Sequence, residues 1–409
     1  MNKNDSLRGI THFISKLPAV SDHDHHLPDD FFAKEVTLDT LFNNSYVFWT
    51  GNPSKEDEAS RKAILANVSY NSYYTWLQKG IQQVHGISED VSLDNWERLS
   101  GIIKNRYASD NDFHWKALRD NGFKKLIVDA YWEPGCNNGH PDIFTGSFRI
   151  DNFTYGYHQD AIIPNDFIPY VCVPWKKYGF AGGTLDDYVD HMRTILTNAK
   201  QDGKIVALKC AEAYFRSLNF LPDDKKQAEQ VFGMSPKDIK RENFILFSNY
   251  IFNRCCEIAG ELQIPFQIHT GLARLADSQP MKFLPIIEKY PDVNFVLFHS
   301  GYPWSHEICG IVHNYQNAYP SLTWTPTIST SAAVTILDEL IDVAPSIRHI
   351  TWGSDCWIPE EAVGALFAWK FVIAKVIAGR MADYNMSAAK AEQLAVMLLY
   401  QNNEEVYGL

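Results

Sequence analysis

Short apolar runs separated by amphipathic helical patterns fill this chain from residue 122 onward, and that alternation most limits the folds open to it. The runs fall at 125–131, 167–173, 205–210, 265–269, 293–299, 322–325 and 347–353. A further run at 19–25 brings their number to eight. Helical patterns such as 185–202, 241–262 and 332–344 lie among them. Strands alternating with helices predict a parallel sheet covered on both faces. Eight such units predict an α/β fold of the closed (β/α)8 TIM-barrel kind. Helix-stop signals at Gly122, Gly203 and Tyr290-Pro291-Asp292 fit this division.

Residues 27 to about 120 carry no convincing buried strand. Their patterns at 70–83, 94–105 and 113–121 predict a helical insertion after the first strand. Trp49, Tyr70, Tyr73, Tyr74 and Trp76 suit a segment that covers a pocket. Residues 1–16, with Ile10, Phe13 and Ile14 on one face, predict a helix that closes the bottom of the barrel. A length of 409 residues then fits one domain, because barrels of this kind exceed the usual domain size.

The net charge of −12 argues against a nucleic-acid or anionic-membrane partner and leaves a small molecule as the expected one. No uninterrupted apolar stretch has the length of a membrane span; the nearest, 364–379, is broken by Lys370 and Lys375 and reads as a buried helix. The seven cysteines show no paired zinc-ribbon spacing, and residues 1–17 show no signal pattern. Buried thiols in a reducing, cytoplasmic compartment are the expectation. Acidic barrels of this size commonly self-associate, so a homo-oligomer is expected too.

Enzymes of this architecture place their chemistry at the C-terminal ends of the strands. The first strand ends in His23-Asp24-His25, where side chains two apart share a face. The fourth ends near Lys209, the fifth in His269, the sixth in His299 and the eighth in Asp355. His23, His25 and His269 supply three neutral nitrogens, and Asp355 a carboxylate that completes a metal site. A catalytic divalent metal, zinc foremost and manganese next, acidifies a water. Asp355 is the expected proton acceptor, and His299 either polarises a carbonyl or orients its neighbours. His26 is expected to be structural, His140 and His158 to lie at the surface, and His306 and His313 to mark one face of a helix.

Asp22-His23-Asp24-His25, His269, His299 and Gly353-Ser354-Asp355 together resemble the amidohydrolase superfamily, and more narrowly its amidohydrolase-2 branch. Phe298-His299-Ser300-Gly301-Tyr302-Pro303-Trp304 and Trp352-Gly353-Ser354-Asp355-Cys356 resemble the amidohydrolase-like domains sometimes fused to glutamine synthetase. The resemblance implies a metal-dependent barrel that hydrolyses C–N or C–O bonds, although some relatives decarboxylate aromatic or unsaturated acids. In binuclear relatives a carboxylated lysine bridges two metals, a place that Lys209 approaches. Lys209 is otherwise a substrate anchor or a buried partner of Glu212. Ala213-Tyr214-Phe215-Arg216 resembles a family stretch, which makes Arg216 a candidate clamp for an anionic substrate or else a surface ion pair. Tyr302 and Trp304 are candidate substrate contacts. The segment from His114 to Gly122 resembles uronate isomerases, which interconvert sugar acids. The expected reaction is metal-dependent hydrolysis of a small carboxylate-bearing amide, lactone or ester-like substrate, with the decarboxylase and the isomerase as alternatives.

Overall fold

The computed structural model describes residues 3–163 and 172–409. Among them, seven strands form one parallel sheet in chain order: β1 Ala19–Asp24, β2 Phe123–Val128, β3 Phe144–Arg149, β4 Ile205–Cys210, β5 Phe266–Ile268, β6 Phe295–Leu297 and β7 Ala318–Pro320. Parallel neighbours need a crossover, and among the described residues helices supply it at every connection except β2 to β3. The stretch 350–355 fills the eighth position. On one side the Thr351 amide bonds the Pro320 carbonyl at 3.0 Å, and the Leu322 amide bonds the Thr351 carbonyl at 3.0 Å. On the other, the Asp22 amide bonds the Trp352 carbonyl at 3.0 Å and the Asp355 amide bonds the His23 carbonyl at 2.9 Å. The ring therefore closes onto β1, giving a TIM-type α/β fold.

Closure at this seam depends on Gly353. A Cβ there would lie 2.5 Å from Asp22 Oδ1 and 2.6 Å from the His23 nitrogen, closer than any side chain allows. The alternate residues of β1 hold the seam from the other direction. Asp22 accepts from Ser321 Oγ at 2.9 Å and from the Thr323 hydroxyl, while Asp24 accepts from Ser21, from Ser354 and from the Cys356 amide at 3.1 Å. These bonds hold both aspartates at the seam, while His23 and His25 line the cavity.

Two expected strands are displaced. The third position in the sheet belongs to Phe144–Arg149, and the run at 167–173 falls largely outside the described residues. The seventh strand is Ala318–Pro320 rather than 322–325, because residues 321–324 turn to pair with the eighth segment. Between β1 and β2 the chain is helical, with Glu58–Val68, Ser72–His85, Trp96–Ser109 and Phe113–Asp120 the main pieces.

The barrel interior holds Ile127, Ala207, Val296 and Phe298, all from even-numbered strands or their ends, as layered barrel packing requires. Tyr407 joins that cluster from the last helix, Asn402–Tyr407. The expected closing role of residues 1–16 thus passes to the other end of the chain. The helix Lys3–Ser15 packs instead against Pro359–Asp383. That long helix is apolar enough to cross a membrane, but 72% of its most apolar window is buried in the protein.

Candidate active site

His23, His25, Lys209, His269 and Asp355 all line one cavity of about 300 Å³ at the C-terminal ends of the strands. Arg149 and Asp151 complete its polar floor. Tyr46, Phe48, Trp49, Tyr131, Tyr214 and Trp357 form aromatic walls, and three of them come from the helical stretch after β1.

The His25 ring bonds the Asp129 carbonyl through Nδ1 at 2.9 Å, so Nδ1 carries the proton and Nε2 a lone pair. That lone pair faces Asp355 Oδ1 at 3.2 Å, and His23 Nε2 stands 3.5 Å from the same oxygen. Lone pairs turned toward a carboxylate repel unless a cation or a proton lies between them. Burial, reinforced by Lys209, pushes the His23 pKa well down and keeps its ring neutral, so no imidazolium charge balances Asp355 there. The donor set therefore fits a divalent metal at His23, His25 and Asp355.

Asp129, one residue past β2, joins this group: an oxygen of its carboxylate lies within 4.8 Å of the ligand atoms of His23 and His25. Burial would raise its carboxyl, but Arg149, His25 and Lys209 together hold it below the ordinary range. Arg149, at the end of β3, grips it through Nε at 3.0 and 3.2 Å and through Nη2. Asp129 falls inside the apolar run at 125–131 rather than at its end, so the strand was visible in the sequence and the residue was not. Arg149 was not visible, because its strand lacks that apolar character.

His269 and His299 form a second donor pair. His269 Nε2 bonds the Leu272 carbonyl at 2.9 Å, and His299 Nδ1 bonds the Thr323 carbonyl at 3.1 Å. Both free lone pairs, His269 Nδ1 and His299 Nε2, then meet across 3.0 Å. Burial, helped by nearby Lys209, depresses both rings far below the ordinary histidine range, so a shared proton is unfavourable and a cation is the better guest. Lys209 has no hydrogen-bond partner for Nζ, which sits 4.0 Å above the Phe298 ring. Burial lowers its ammonium to about 8, with Asp129 and Asp355 pulling the other way.

Three sequence expectations are relocated. His299 stands behind His269 and 3.7 Å from Asp355 Oδ2, and it does not line the cavity. Arg216 is fully buried and committed to Ser248 Oγ at 2.8 Å, Asn249 Oδ1, and the carbonyls of Ser217 and Asn219, so it neither lines the cavity nor forms a surface ion pair. Tyr302 and Trp304 are half-buried just before the helix Ser305–Asn314 and are not on the wall either. His26 packs among Phe32, His114 and Phe144, as a structural residue would.

Behind the aromatic wall, Glu361 Oε1 accepts the Tyr46 amide at 2.6 Å while Oε2 has no partner. Burial pushes this carboxyl up to about 8, with Asp355 adding to the effect and the Tyr46 amide opposing it. The folded state thus holds a proton that the unfolded chain releases near pH ~4.3. Its contribution to stability is complete below that pH and is lost as pH rises toward about 8. Glu361→Gln is expected to flatten this decline, read as urea midpoints at pH 5 and pH 8.5; parallel declines in both proteins would refute the assignment.

The sequence profile of the amidohydrolase family matches residues 207–409. The chain belongs to the amidohydrolase superfamily. Protein fluG of Emericella nidulans is 24% identical over 242 residues, which make up 55% of this chain but only 28% of that relative's length. The chain spans little more than a quarter of that protein. Among solved structures, the uronate isomerase of Thermotoga maritima superposes with a TM-score of 0.75 at 14% identity, covering 98% of this chain and 97% of the other. A protein assigned as a metal-dependent hydrolase from Lactobacillus casei ATCC 334 gives 0.71 at 15% identity, with 98% and 97% covered. At such identities these two likenesses speak for the fold.

Proposed function

We propose that this amidohydrolase-fold protein is a divalent-metal-dependent hydrolase of a small amide, lactone or ester-like substrate bearing a carboxylate. The observation that carries the reading is the convergence of His25 Nε2 and His23 Nε2 on one buried Asp355 oxygen at 3.2 and 3.5 Å. Zinc suits two imidazoles with a carboxylate, and manganese is the next choice. Bound there, the ion would polarise the scissile carbonyl and acidify a water. Asp355 accepts the proton and returns it to the leaving group. Lys209 and Arg149 make the floor cationic and hold the substrate carboxylate. The aromatic walls exclude bulk water, and His299 positions His269.

A second reading, proton transfer on a sugar acid, is favoured by one feature. Asn43, Asn44, Ser45 and Asn152 also line the cavity and suit a substrate with many hydroxyls. A screen of the metal-loaded protein separates the two. Acid release from carboxylate-bearing lactones and amides is expected; conversion of glucuronate, or carbon dioxide from aromatic acids, would replace the hydrolase reading. Lys209→Met is expected to raise KM about 10-fold or more for such substrates, the worth of one charge-assisted hydrogen bond. Loss of one metal equivalent in that variant would instead make Lys209 a metal bridge.

A further inference from the structure

A second cluster of metal-ligating side chains lies outside the catalytic cavity and plays no part in the function proposed above. Asp29 follows β1, His114 lies in the helix Phe113–Asp120, and His140 belongs to the connection between β2 and β3. His140 Nε2 is 2.8 Å and His114 Nε2 is 3.2 Å from the same oxygen, Asp29 Oδ1. The three ligand atoms all fall within 4.8 Å of one another. The His114 side chain is 0% exposed and its Nε2 makes no hydrogen bond. Its Nδ1 lies 2.9 Å from His26 Nε2, and its ring stacks on Phe32 with 4.3 Å between centroids.

We infer that Asp29, His114 and His140 form a second divalent-cation site, structural in kind, that takes a first-row ion of zinc's borderline softness. Two imidazoles and one carboxylate favour such an ion over magnesium or calcium, which prefer all-oxygen shells. A proton on His114 Nδ1, donated to His26 Nε2, leaves the Nε2 lone pair turned toward Asp29 and fixes the ring, the pattern seen behind metal-binding histidines. Tetrahedral ligands with bonds of ~2.05 Å stand about 3.3 Å apart, so the observed spacings need only a small opening to admit the ion. Access is direct: the Asp29 side chain is 57% exposed and borders an open cavity of about 420 Å³, where Asp30 and Glu133 offer further carboxylates. An ion held there ties together three segments far apart in sequence, next to the turn that carries His25.

The test uses the full chain, stripped by chelation and reloaded with zinc, with metal counted by mass spectrometry and Tm measured with and without zinc. His140→Ala and Asp29→Asn alter partly exposed side chains and spare the buried His114. Each is expected to bind one zinc fewer than wild type and to lose part of the zinc-induced rise in Tm. His25→Ala, made in parallel, is expected to keep the zinc at Asp29, His114 and His140, and the double variant His25→Ala/His140→Ala to lose it. Equal zinc counts and equal Tm shifts in wild type, His140→Ala and Asp29→Asn overturn the inference. That result would leave the catalytic reading untouched, because His25→Ala reports on the catalytic site separately.

Discussion

Asp355→Asn is expected to lower turnover about 1,000-fold, within the range that a positioned acid–base group contributes. The substitution isolates charge from shape. Asp355 sits in the left-handed region at φ 61°, a conformation that asparagine tolerates nearly as well as aspartate. Its amide keeps the bond to the His23 carbonyl at 2.9 Å, so the seam that closes the barrel survives. What disappears is the negative oxygen facing His23 and His25. Metal content decides how the loss is understood. A variant that holds its ion but turns over slowly places proton transfer on Asp355. A variant that loses both makes the carboxylate chiefly a ligand, and unchanged turnover removes Asp355 from the mechanism.

Why some of this was legible in the sequence, and some not, follows from what each residue's neighbours are. β4 spans 205–210 as expected, since it is an apolar run behind the helix-stop Gly203. His23 and His25 share a face by strand alternation alone, which needs no tertiary information. β3 was hidden because Phe144-Thr145-Gly146-Ser147-Phe148-Arg149 mixes polar residues with a glycine. That glycine has a tertiary cause: a Cβ at 146 would meet the Lys204 carbonyl oxygen at 2.7 Å. Losing β3 also lost Arg149, and with it the cation that restrains Asp129. Arg216 misled for the converse reason. Its motif suits an anion clamp, but Ser248 and Asn249 arrive from a helix more than thirty residues on and satisfy the guanidinium internally. The partnership of His269 with His299 depends on the carbonyls of Leu272 and Thr323, which choose the ring tautomers, and backbone carbonyls leave no trace in side-chain identity.

Gly80→Ala is expected to destabilise the protein by about 3 kcal/mol, the upper end of ordinary overpacking, and to lower Tm by roughly 5 °C or more. In an isolated helix the same change would be favourable by ~1 kcal/mol, so the sign of the result reports tertiary contact alone. Gly80 lies in Ser72–His85, which crosses Pro359–Asp383 so closely that a Cβ at 80 would stand 1.8 Å from the Glu360 carbonyl oxygen. Gly364 repeats the contact from the other side, 2.2 Å from the Trp76 carbonyl oxygen. Both obstacles are backbone, so neither can rotate away, and relief requires the helices to separate. Separation strains the buried bond between them, His85 Nε2 to Glu360 Oε1 at 2.7 Å, and the bond that Tyr107 Oη, from the helix Trp96–Ser109, donates to the same oxygen at 2.9 Å. Glu361 follows directly and holds the Tyr46 amide of the cavity wall, so the displacement reaches the catalytic cavity as well. Gly101→Ala is the matching control: it is helical, a Cβ there meets nothing within 4 Å, and it is expected to raise stability by ~0.5–1 kcal/mol. Thermal melts of the two variants that shift in the same direction would show that the crossing of these helices is not set by glycine.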